Sequence, residues 1–159
     1  MEIKRRYMLK KKELKELKEE LGNIFDVEKI IPKKAVVEKA VTEEGEIILL
    51  DGTPLAMVNS GRIFPTLKFL LEMDIENNRV IVDMGAVKFI ANGADIMAPG
   101  IVGADEDIKE GDIVFVVDVT HKKPLSVGEA LMDGKTMVEE KKGKAIKTIH
   151  FIGDEIWKM

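Results

Sequence analysis

The sequence predicts an α+β protein in two parts, an N-terminal α/β domain over residues 1–78 and a mostly β domain over residues 79–159. Three observations support this prediction. Leucines at helical spacing precede three short β-type runs in the first part, and short apolar runs separated by Gly and Pro dominate the second. Between them, Asn77-Asn78 interrupts the pattern and "RVIVD" restarts it as a strand. Because this linker is short and has apolar flanks, we expect the two domains to pack rigidly.

The first part begins with a strand and a helix. "EIKRRYML" mixes β-favouring residues with charged ones, which favours a short strand. In "KKKELKELKEELGNIF" the period changes, and Leu14, Leu17 and Leu21 are spaced i, i+3, i+7. This spacing predicts an amphipathic helix of about three turns, with Gly22 at its C′ position.

Three strands and a short helix complete the first part. "KAVVEKAVTEEGEIILLDGTPLAMVN" predicts three strands with turns at Glu44-Gly45 and Asp51-Gly52, of which the second is a strong hairpin signal. "FPTLKFLLEM" then predicts a short buried helix with Pro65 at its first position. The apolar residues of this helix are Leu67, Leu70 and Leu71.

The stretch from residue 84 to residue 101, "MGAVKFIANGADIMAPGI", contains three glycines and four alanines. Gly85 is expected to let the preceding strand turn sharply into a helix of about two turns. Val87 and Ile90 can then face inward while Lys88 points outward. Asn92-Gly93 ends this helix, and Gly93 supplies the left-handed C′ conformation.

A glycine at position 93 also admits a close approach by another backbone or by a phosphate, since it has no side chain. After it, "ADIMA" predicts a strand that Pro99-Gly100 closes. A hairpin around His121 to Lys123, a helix at "GKTMVEEKKG" and a final pair of strands, "AIKTIHFI" and "IWKM", follow. Five or six short strands closed by two helices form a pseudobarrel.

Composition excludes several classes of protein. The chain has no cysteine, which excludes disulfides, thiol catalysis and thiolate metal sites. No apolar run reaches the roughly 20 residues of a membrane span, and the charged start is not a signal peptide, so a cytoplasmic protein is expected. The net charge is −4, yet residues 1–18 carry an excess of +5. Those Lys and Glu residues fit a solvated helix face or a binding surface.

Catalytic and metal sites find little support. The acidic residues Asp105, Glu106, Asp107, Glu110 and Asp112 lack the spacing of a known cation loop, and turns explain them. His121 and His150 have no nucleophile or carboxylate in a recognisable arrangement with them. We therefore expect no catalytic residue, no metal and no cofactor. Trp157 is expected to anchor the core.

The pattern "VDMGAVKFIANGADIMAPGI" resembles the signature of the PUA domain, an RNA-binding pseudobarrel found on RNA-modifying enzymes and translation factors. "FPTLKFLLEM" and "GKAIKTIHFIGDEIWKM" resemble the malignant T-cell amplified sequence family, in which a pre-PUA domain precedes the PUA domain. The resemblance implies a pre-PUA domain over residues 1–78 and a PUA β-pseudobarrel over residues 79–159. The absence of cysteine and the short loop "IVGADEDIKEGD" look more archaeal than eukaryotic.

RNA binding without catalysis is what this resemblance implies. In PUA domains the first helix and the next strand contact RNA, and the matching residues here are Lys88, Asn92, Gly93, Ala94, Asp95 and Met97. Lys88 can neutralise a phosphate, and Met97 can offer an apolar surface to an unpaired base. The spacing alone also allows Gly93 as a simple helix stop and Met97 as core. A carboxylate repels phosphate, so Asp95 would accept a hydrogen bond from a base or face solvent.

Two functions remain open at this point. The first is a translation-associated factor that binds the small ribosomal subunit or the acceptor end of transfer RNA, together with a density-regulated-type partner. The second is an accessory specificity subunit of an RNA-modifying enzyme carried on another chain. A monomer is expected when the protein is free. Secondary basic contacts with RNA are expected from Arg5, Arg6, Lys10, Lys11, Lys33, Lys34, Lys122 and Lys123.

Overall fold

The computed structural model describes residues 1–159 and contains two β-sheets. The first is an antiparallel five-stranded sheet with its strands in sequence order. Its strands are β1 (Ile3–Met8), β2 (Val37–Thr42), β3 (Gly45–Leu50), β4 (Thr53–Asn59) and β5 (Arg62–Pro65). The hairpin predicted at Asp51-Gly52 is present, and both residues have positive φ, at 48° and 86°. Such values match the type I′ geometry of tight hairpins.

Three helices accompany the first sheet: α1 (Lys11–Gly22), α2 (Val27–Ile30) and α3 (Leu67–Leu71). Leu17 and Leu21 of α1 are each 1% exposed and pack against buried residues of β3 and β4, as the i, i+4 spacing predicts. Gly22 is the last helical residue and Asn23 is the C-cap, so the C′ position predicted for Gly22 is wrong.

One further local prediction in this region is wrong, and one strand was missed. Pro65 ends β5 instead of starting α3, because the Thr66 hydroxyl caps the helix and accepts a hydrogen bond from the Phe69 N–H at 3.3 Å. Strand β5 itself was not predicted, since "SGRI" has the composition of a loop. It forms because Ser60-Gly61, both with positive φ, turn the chain back along β4.

The second sheet has six strands in the order β7-β11-β10-β9-β6-β8. These are β6 (Arg79–Val82), β7 (Ile96–Met97), β8 (Ile101–Ala104), β9 (Ile113–Asp118), β10 (Pro124–Ala130) and β11 (Lys144–Phe151). Two helices complete it, α4 (Val87–Ile90) and α5 (Gly134–Glu139), with short 3₁₀ turns at Met84–Ala86 and Ala98–Gly100. The strands enclose a core of thirteen buried residues, in agreement with the predicted pseudobarrel.

The C-terminal segment differs from the prediction. "IWKM" is not a strand, and residues 152–158 form turns after β11. The carboxylate of Asp154 organises them, because it accepts hydrogen bonds from the backbone N–H groups of Phe151 at 2.9 Å and Trp157 at 2.8 Å. These bonds bend the chain where a strand would have continued.

A core shared by the two sheets lies between them. Strand β9 reads as a continuous apolar run because both of its faces are buried: Val114 and Val116 face the barrel core, and Phe115 faces the shared core. The side chains of Met57, Phe64 and Leu70 meet Phe115 from the first sheet and α3. This burial joins the two halves of the chain through apolar packing.

Hydrogen bonds add to the apolar packing at the same seam. The Leu67 N–H donates to Nε2 of the buried His150 at 3.1 Å, so His150 carries its proton on Nδ1, 2.7 Å from an oxygen of Asp154. Arg62 donates to the Gly111 carbonyl at 2.8 Å, and its guanidinium lies 3.5 Å from Glu129. The carboxylate partner of His150, which the sequence did not indicate, therefore has a structural role.

Candidate nucleic-acid interface

The segment between β6 and β8 forms one edge of the barrel. Asp83 caps its 3₁₀ turn and accepts a hydrogen bond from the Ala86 N–H at 3.0 Å. Gly85 does not have positive φ, so the turn predicted there depends on the Asp83 cap and not on glycine. Ile90 of α4 is buried and Lys88 is exposed, as predicted, while Val87 is half-buried.

The turn after α4 ends at Gly93, which has the predicted left-handed conformation with φ of 82°. The Gly93 N–H donates to the Ile90 carbonyl at 2.9 Å, and the Ala94 N–H donates to the Phe89 carbonyl at 3.1 Å. This pair of bonds is the Schellman motif, which satisfies carbonyls that the helix end leaves free.

The close approach predicted at Gly93 is made by the protein itself. A Cβ atom added to Gly93 would lie 2.8 Å from Cε1 and 2.9 Å from Cζ of the Phe151 ring, which is closer than real Cβ contacts allow. The absent side chain therefore makes room for Phe151 on the inner side of the edge. Any side chain at position 93 would meet this ring.

Asp95 is held by its own chain. One carboxylate oxygen accepts from the Thr148 N–H at 2.8 Å, and the other lies 3.0 Å from Nζ of Lys144. The Thr148 hydroxyl also donates to the Ala94 carbonyl at 2.9 Å. Burial acts to raise the pKa of Asp95, but these hydrogen bonds and the Lys144 charge hold that pKa below its usual value. Asp95 thus attaches the start of β7 to β11.

The remaining predicted residues face outward. Met97 is 50% exposed, which rules out the core position that its spacing allowed. Ala94 is exposed, and so is Asn92, whose amide donates to the Lys88 carbonyl at 3.1 Å. The Lys88 ammonium lies 5.1 Å from the centre of the Phe89 ring, within the range of a cation–π contact.

Phe89 is an aromatic residue of α4 outside the predicted RNA-binding set, and 57% of its surface is exposed. A signal was present in the sequence, because a helix that buries Val87 and Ile90 must turn Phe89 outward. With Met97 it borders an open cavity of about 500 Å³, which we call the apolar groove. The groove is lined by Asp83, Gly85, Ala86, Phe89, Ile90, Ala94, Asp95, Ile96, Met97, Pro99 and Gly100.

The predicted secondary contacts fall into two groups. Lys122 and Lys123 lie in the β9–β10 hairpin of the barrel, and both are exposed. The others belong to the first half of the chain, and none of them lines the groove: Arg5, Arg6, Lys10, Lys11, Lys33 and Lys34. Arg6 is paired with Glu38 at 2.9 Å, and the Arg5 guanidinium lies 5.5 Å from the Tyr7 ring centre.

The acidic loop serves as a turn. Asp105 accepts a hydrogen bond from the Arg79 N–H at 2.9 Å, and Asp112 accepts one from the Lys109 N–H at 2.8 Å. The chain has no group of three or more His, Asp or Glu side chains placed to hold a metal ion. None of its helices has the length and apolar character needed to cross a lipid bilayer.

Comparisons with known proteins divide the chain as its two sheets do. The PUA domain model matches residues 78–152, and a domain of unknown function, DUF1947, matches residues 5–73. The chain is 30% identical to translation machinery-associated protein 20 of Saccharomyces cerevisiae over 82% of its own length and 76% of the relative's. It is 32% identical to malignant T-cell-amplified sequence 1 of Danio rerio, over 91% and 83% of the two chains.

The chain belongs to this family of PUA-domain proteins. Two archaeal proteins are more similar to it in sequence. An uncharacterized protein of Methanocaldococcus jannaschii is 57% identical over 99% of this chain and 98% of the relative. The crystal structure of a hypothetical protein of Pyrococcus horikoshii is similar to this one, with a TM-score of 0.87. The two sequences are 44% identical, and the match covers 97% of this chain and 98% of the other. The family and fold predicted from the sequence are confirmed.

Proposed function

We propose that this protein is an RNA-binding, translation-associated factor that is not an enzyme and contacts RNA through its PUA barrel. The observation that carries the proposal is the apolar groove, where Phe89 and Met97 are 57% and 50% exposed beside Lys88. Exposed aromatic rings with nearby cations are the surfaces on which unpaired bases stack. Lys88, Asn92, Ala94 and Met97 contact the RNA directly, while Gly93 and Asp95 shape the edge that carries them.

The target that best fits the family is the small ribosomal subunit or the acceptor end of transfer RNA. Support comes from the relatives whose names associate them with the translation machinery. In this proposal residues 1–78 form the pre-PUA domain and residues 79–159 the PUA domain. The free protein is a cytoplasmic monomer, and a density-regulated-type factor joins it on the ribosome through the pre-PUA domain.

The experiment is sedimentation of the tagged protein with ribosomal subunits in extracts of the source cell, with two variants. Phe89→Ala alters the groove, and Leu71→Ala removes another exposed side chain, 44% exposed, from α3 in the first half of the chain. We expect the parent and Leu71→Ala to sediment with the small subunit, and Phe89→Ala to remain largely unbound. Sedimentation of all three proteins would contradict the groove as the site. Recovery of an RNA-modifying enzyme without ribosomes would favour the accessory-subunit function instead.

A further inference from the structure

The loop that joins β9 to β10 is a cationic turn. Its four exposed polar residues, Thr120, His121, Lys122 and Lys123, follow the buried Asp118, which is 4% exposed. The Asp118 carboxylate accepts a hydrogen bond from the His121 N–H, and the Asp118 carbonyl accepts one from the Lys122 N–H at 3.0 Å. Lys122 has a φ of 54°, so the loop is a tight turn held from inside by a carboxylate. We call residues 119–123 the hairpin loop.

The strand pairing places this hairpin loop at one end of the apolar groove. Strands β6 and β9 run parallel with Val82 beside Asp118, and the Val119 N–H donates to the Val82 carbonyl at 3.0 Å. The next residue after Val82 is Asp83, which lines the groove. Val119 is 42% exposed, and Met84, the residue after Asp83, is 47% exposed, so each of the two segments joined by this hydrogen bond carries an exposed apolar side chain.

A second cationic loop borders the groove at β7. Residues 141–144, "KKGK", form the lysine loop, whose Lys144 pairs with Met97 across the sheet. The Gly143 carbonyl accepts from the Ala98 N–H at 2.9 Å, which fixes this loop beside the groove. Lys141 and Gly143 have positive φ, at 49° and 85°, so this loop is also a defined turn. Lys141 and Lys142 are exposed and have no salt-bridge partner.

The chemistry of the groove differs from that of the two loops. Its lining is mostly apolar, and its ionisable residues are the carboxylates Asp83 and Asp95. A phosphate in the groove would meet apolar atoms and negative charge, whereas a base would meet Phe89 and Met97. Phosphates suit the lysines on either side. Because paired bases inside a duplex cannot enter such a groove, the arrangement fits an RNA single strand.

We propose that the groove is the middle of a continuous track for single-stranded RNA, with flanking phosphates bound by Lys141 and Lys142 at one end and by Lys122 and Lys123 at the other. This inference rests on the proposed RNA-binding function and specifies its ligand, a single strand longer than the groove. A strand that fills only the groove reaches neither loop, whereas a longer strand reaches both. Each loop then contributes affinity only to the longer strand.

The experiment measures binding of oligouridine of three and of ten nucleotides, and of a ten-base-pair RNA duplex, by fluorescence anisotropy across a KCl series. The variants are K122Q/K123Q for the hairpin loop, K141Q/K142Q for the lysine loop and Phe89→Ala for the groove. The control is K109Q/K135Q, which makes the same charge change. Lys109 precedes β9, at the end opposite the hairpin loop, and Lys135 lies in α5, which the Gly134 N–H joins to the Ile108 carbonyl at 3.0 Å.

For the ten-nucleotide strand we expect each loop variant to weaken binding at least fivefold at low salt and to lower the log–log salt slope by about 1.4, since each lost phosphate contact removes about 0.7. For the three-nucleotide strand, the affinity of each loop variant should be within twofold of the parent's. The control variant should stay within twofold of the parent for both strand lengths. The duplex should bind the parent more weakly than the ten-nucleotide strand does.

Three results would overturn the track. The first is a hairpin-loop variant that binds like the control, the second is equal weakening for both strand lengths, and the third is duplex binding as tight as that of the single strand. If Phe89→Ala still weakens binding in any of these cases, the proposed RNA site survives without the track. If Phe89→Ala binds both strands as the parent does, the groove itself is not the RNA site.

Discussion

Phenylalanine and methionine occur in two regions of this molecule with opposite exposure. In the shared core, Phe115, Phe64 and Met57 are 0%, 1% and 4% exposed, whereas at the groove Phe89 and Met97 are 57% and 50% exposed. Burial of apolar surface stabilises the fold by about 25 cal/mol per Å², so the core residues contribute stability and the groove residues contribute little. The same side-chain types therefore serve folding in one region and are available to a ligand in the other.

The largest effect should come from emptying the shared core. Phe115→Ala removes a fully buried ring from between the two sheets and should lower the free energy of unfolding by about 3–5 kcal/mol. Urea unfolding measures this change. Phe89→Ala, at an exposed position, should stay within about 0.5 kcal/mol of the parent. Similar losses for the two variants would contradict the contrast between the regions.

Gly93 supports the groove from its inner side, because it ends the turn after α4 and lies against the Phe151 ring. Gly93→Asn should cost roughly 2 kcal/mol, of which a β-carbon at positive φ accounts for about 1 kcal/mol. The clash with the ring accounts for the rest. Asparagine tolerates this backbone region better than alanine does, yet the side chain of either residue would clash with the Phe151 ring, so both Gly93→Asn and Gly93→Ala should lose stability.

A double-mutant cycle isolates the clash at Gly93. Gly93→Ala combined with Phe151→Ala should be less destabilised than the sum of the two single variants, because the ring that the new methyl group meets is gone. Additive losses in thermal or urea unfolding would mean that the ring does not limit position 93.

Removal of the exposed aromatic ring should change binding and leave folding alone. Phe89→Ala should weaken binding of single-stranded RNA by about 1–3 kcal/mol, about 5- to 150-fold, since stacking of a base on an aromatic side chain has that magnitude. A titration at low salt gives the affinity, and Leu71→Ala supplies the control. Unchanged affinity for Phe89→Ala would place the RNA elsewhere.

The hydrogen bonds of Asp154, beside the contact between the two sheets, predict that the stability of the fold depends on pH. Burial acts to raise the pKa of Asp154, but hydrogen bonds from His150 and from the backbone of Phe151 and Trp157 hold that pKa below its usual value. A depressed pKa means that the stabilisation is complete above the unfolded-state pKa of about 3.9 and is lost as the pH falls through the folded-state value.

Replacement of this carboxylate tests the pH dependence. Asp154→Asn should lower stability at neutral pH by roughly 1–2 kcal/mol, because the charge-assisted bonds are lost. It should also flatten the decline of stability below pH 4, measured by urea unfolding at a series of pH values. If the stability of this variant declines below pH 4 as steeply as the parent's, Asp154 does not contribute to that decline.

Local patterns were enough to predict much of the fold. The leucine spacing of α1, the strands β2–β4 and the Asp51-Gly52 turn depend on neighbours in sequence, and all are present in the structure. The errors occur where a side chain redirects the backbone: Thr66 caps α3 in place of Pro65, and Asp154 turns the chain after β11. Such hydrogen bonds leave no periodic signal.

The candidate site was harder to predict than the fold, because parts of it come together only through pairing between strands that are distant in sequence. Its first segment, Lys88 to Met97, was predicted from the resemblance to the PUA signature, which one continuous stretch of sequence carries. The outward direction of Phe89 could be predicted from the positions of Val87 and Ile90. The lysine loop and the hairpin loop reach the groove only through the pairing of β7 with β11 and of β6 with β9. Strand order is a property of the whole barrel, so their convergence has no signature in sequence.

The smallest expected effect is that of Lys88→Ala, and it separates charge from stacking at the groove. The side chain is exposed, and no hydrogen bond or salt bridge involves its ammonium, so stability should stay within about 0.5 kcal/mol. The loss of one phosphate contact should reduce the log–log salt slope by about 0.7 and weaken binding only severalfold at low salt. Phe89→Ala, in contrast, should weaken binding at every salt concentration without changing the slope. If Lys88→Ala keeps the parent's slope, its ammonium contacts no phosphate, and its position 5.1 Å from the Phe89 ring centre would be its only role at this edge.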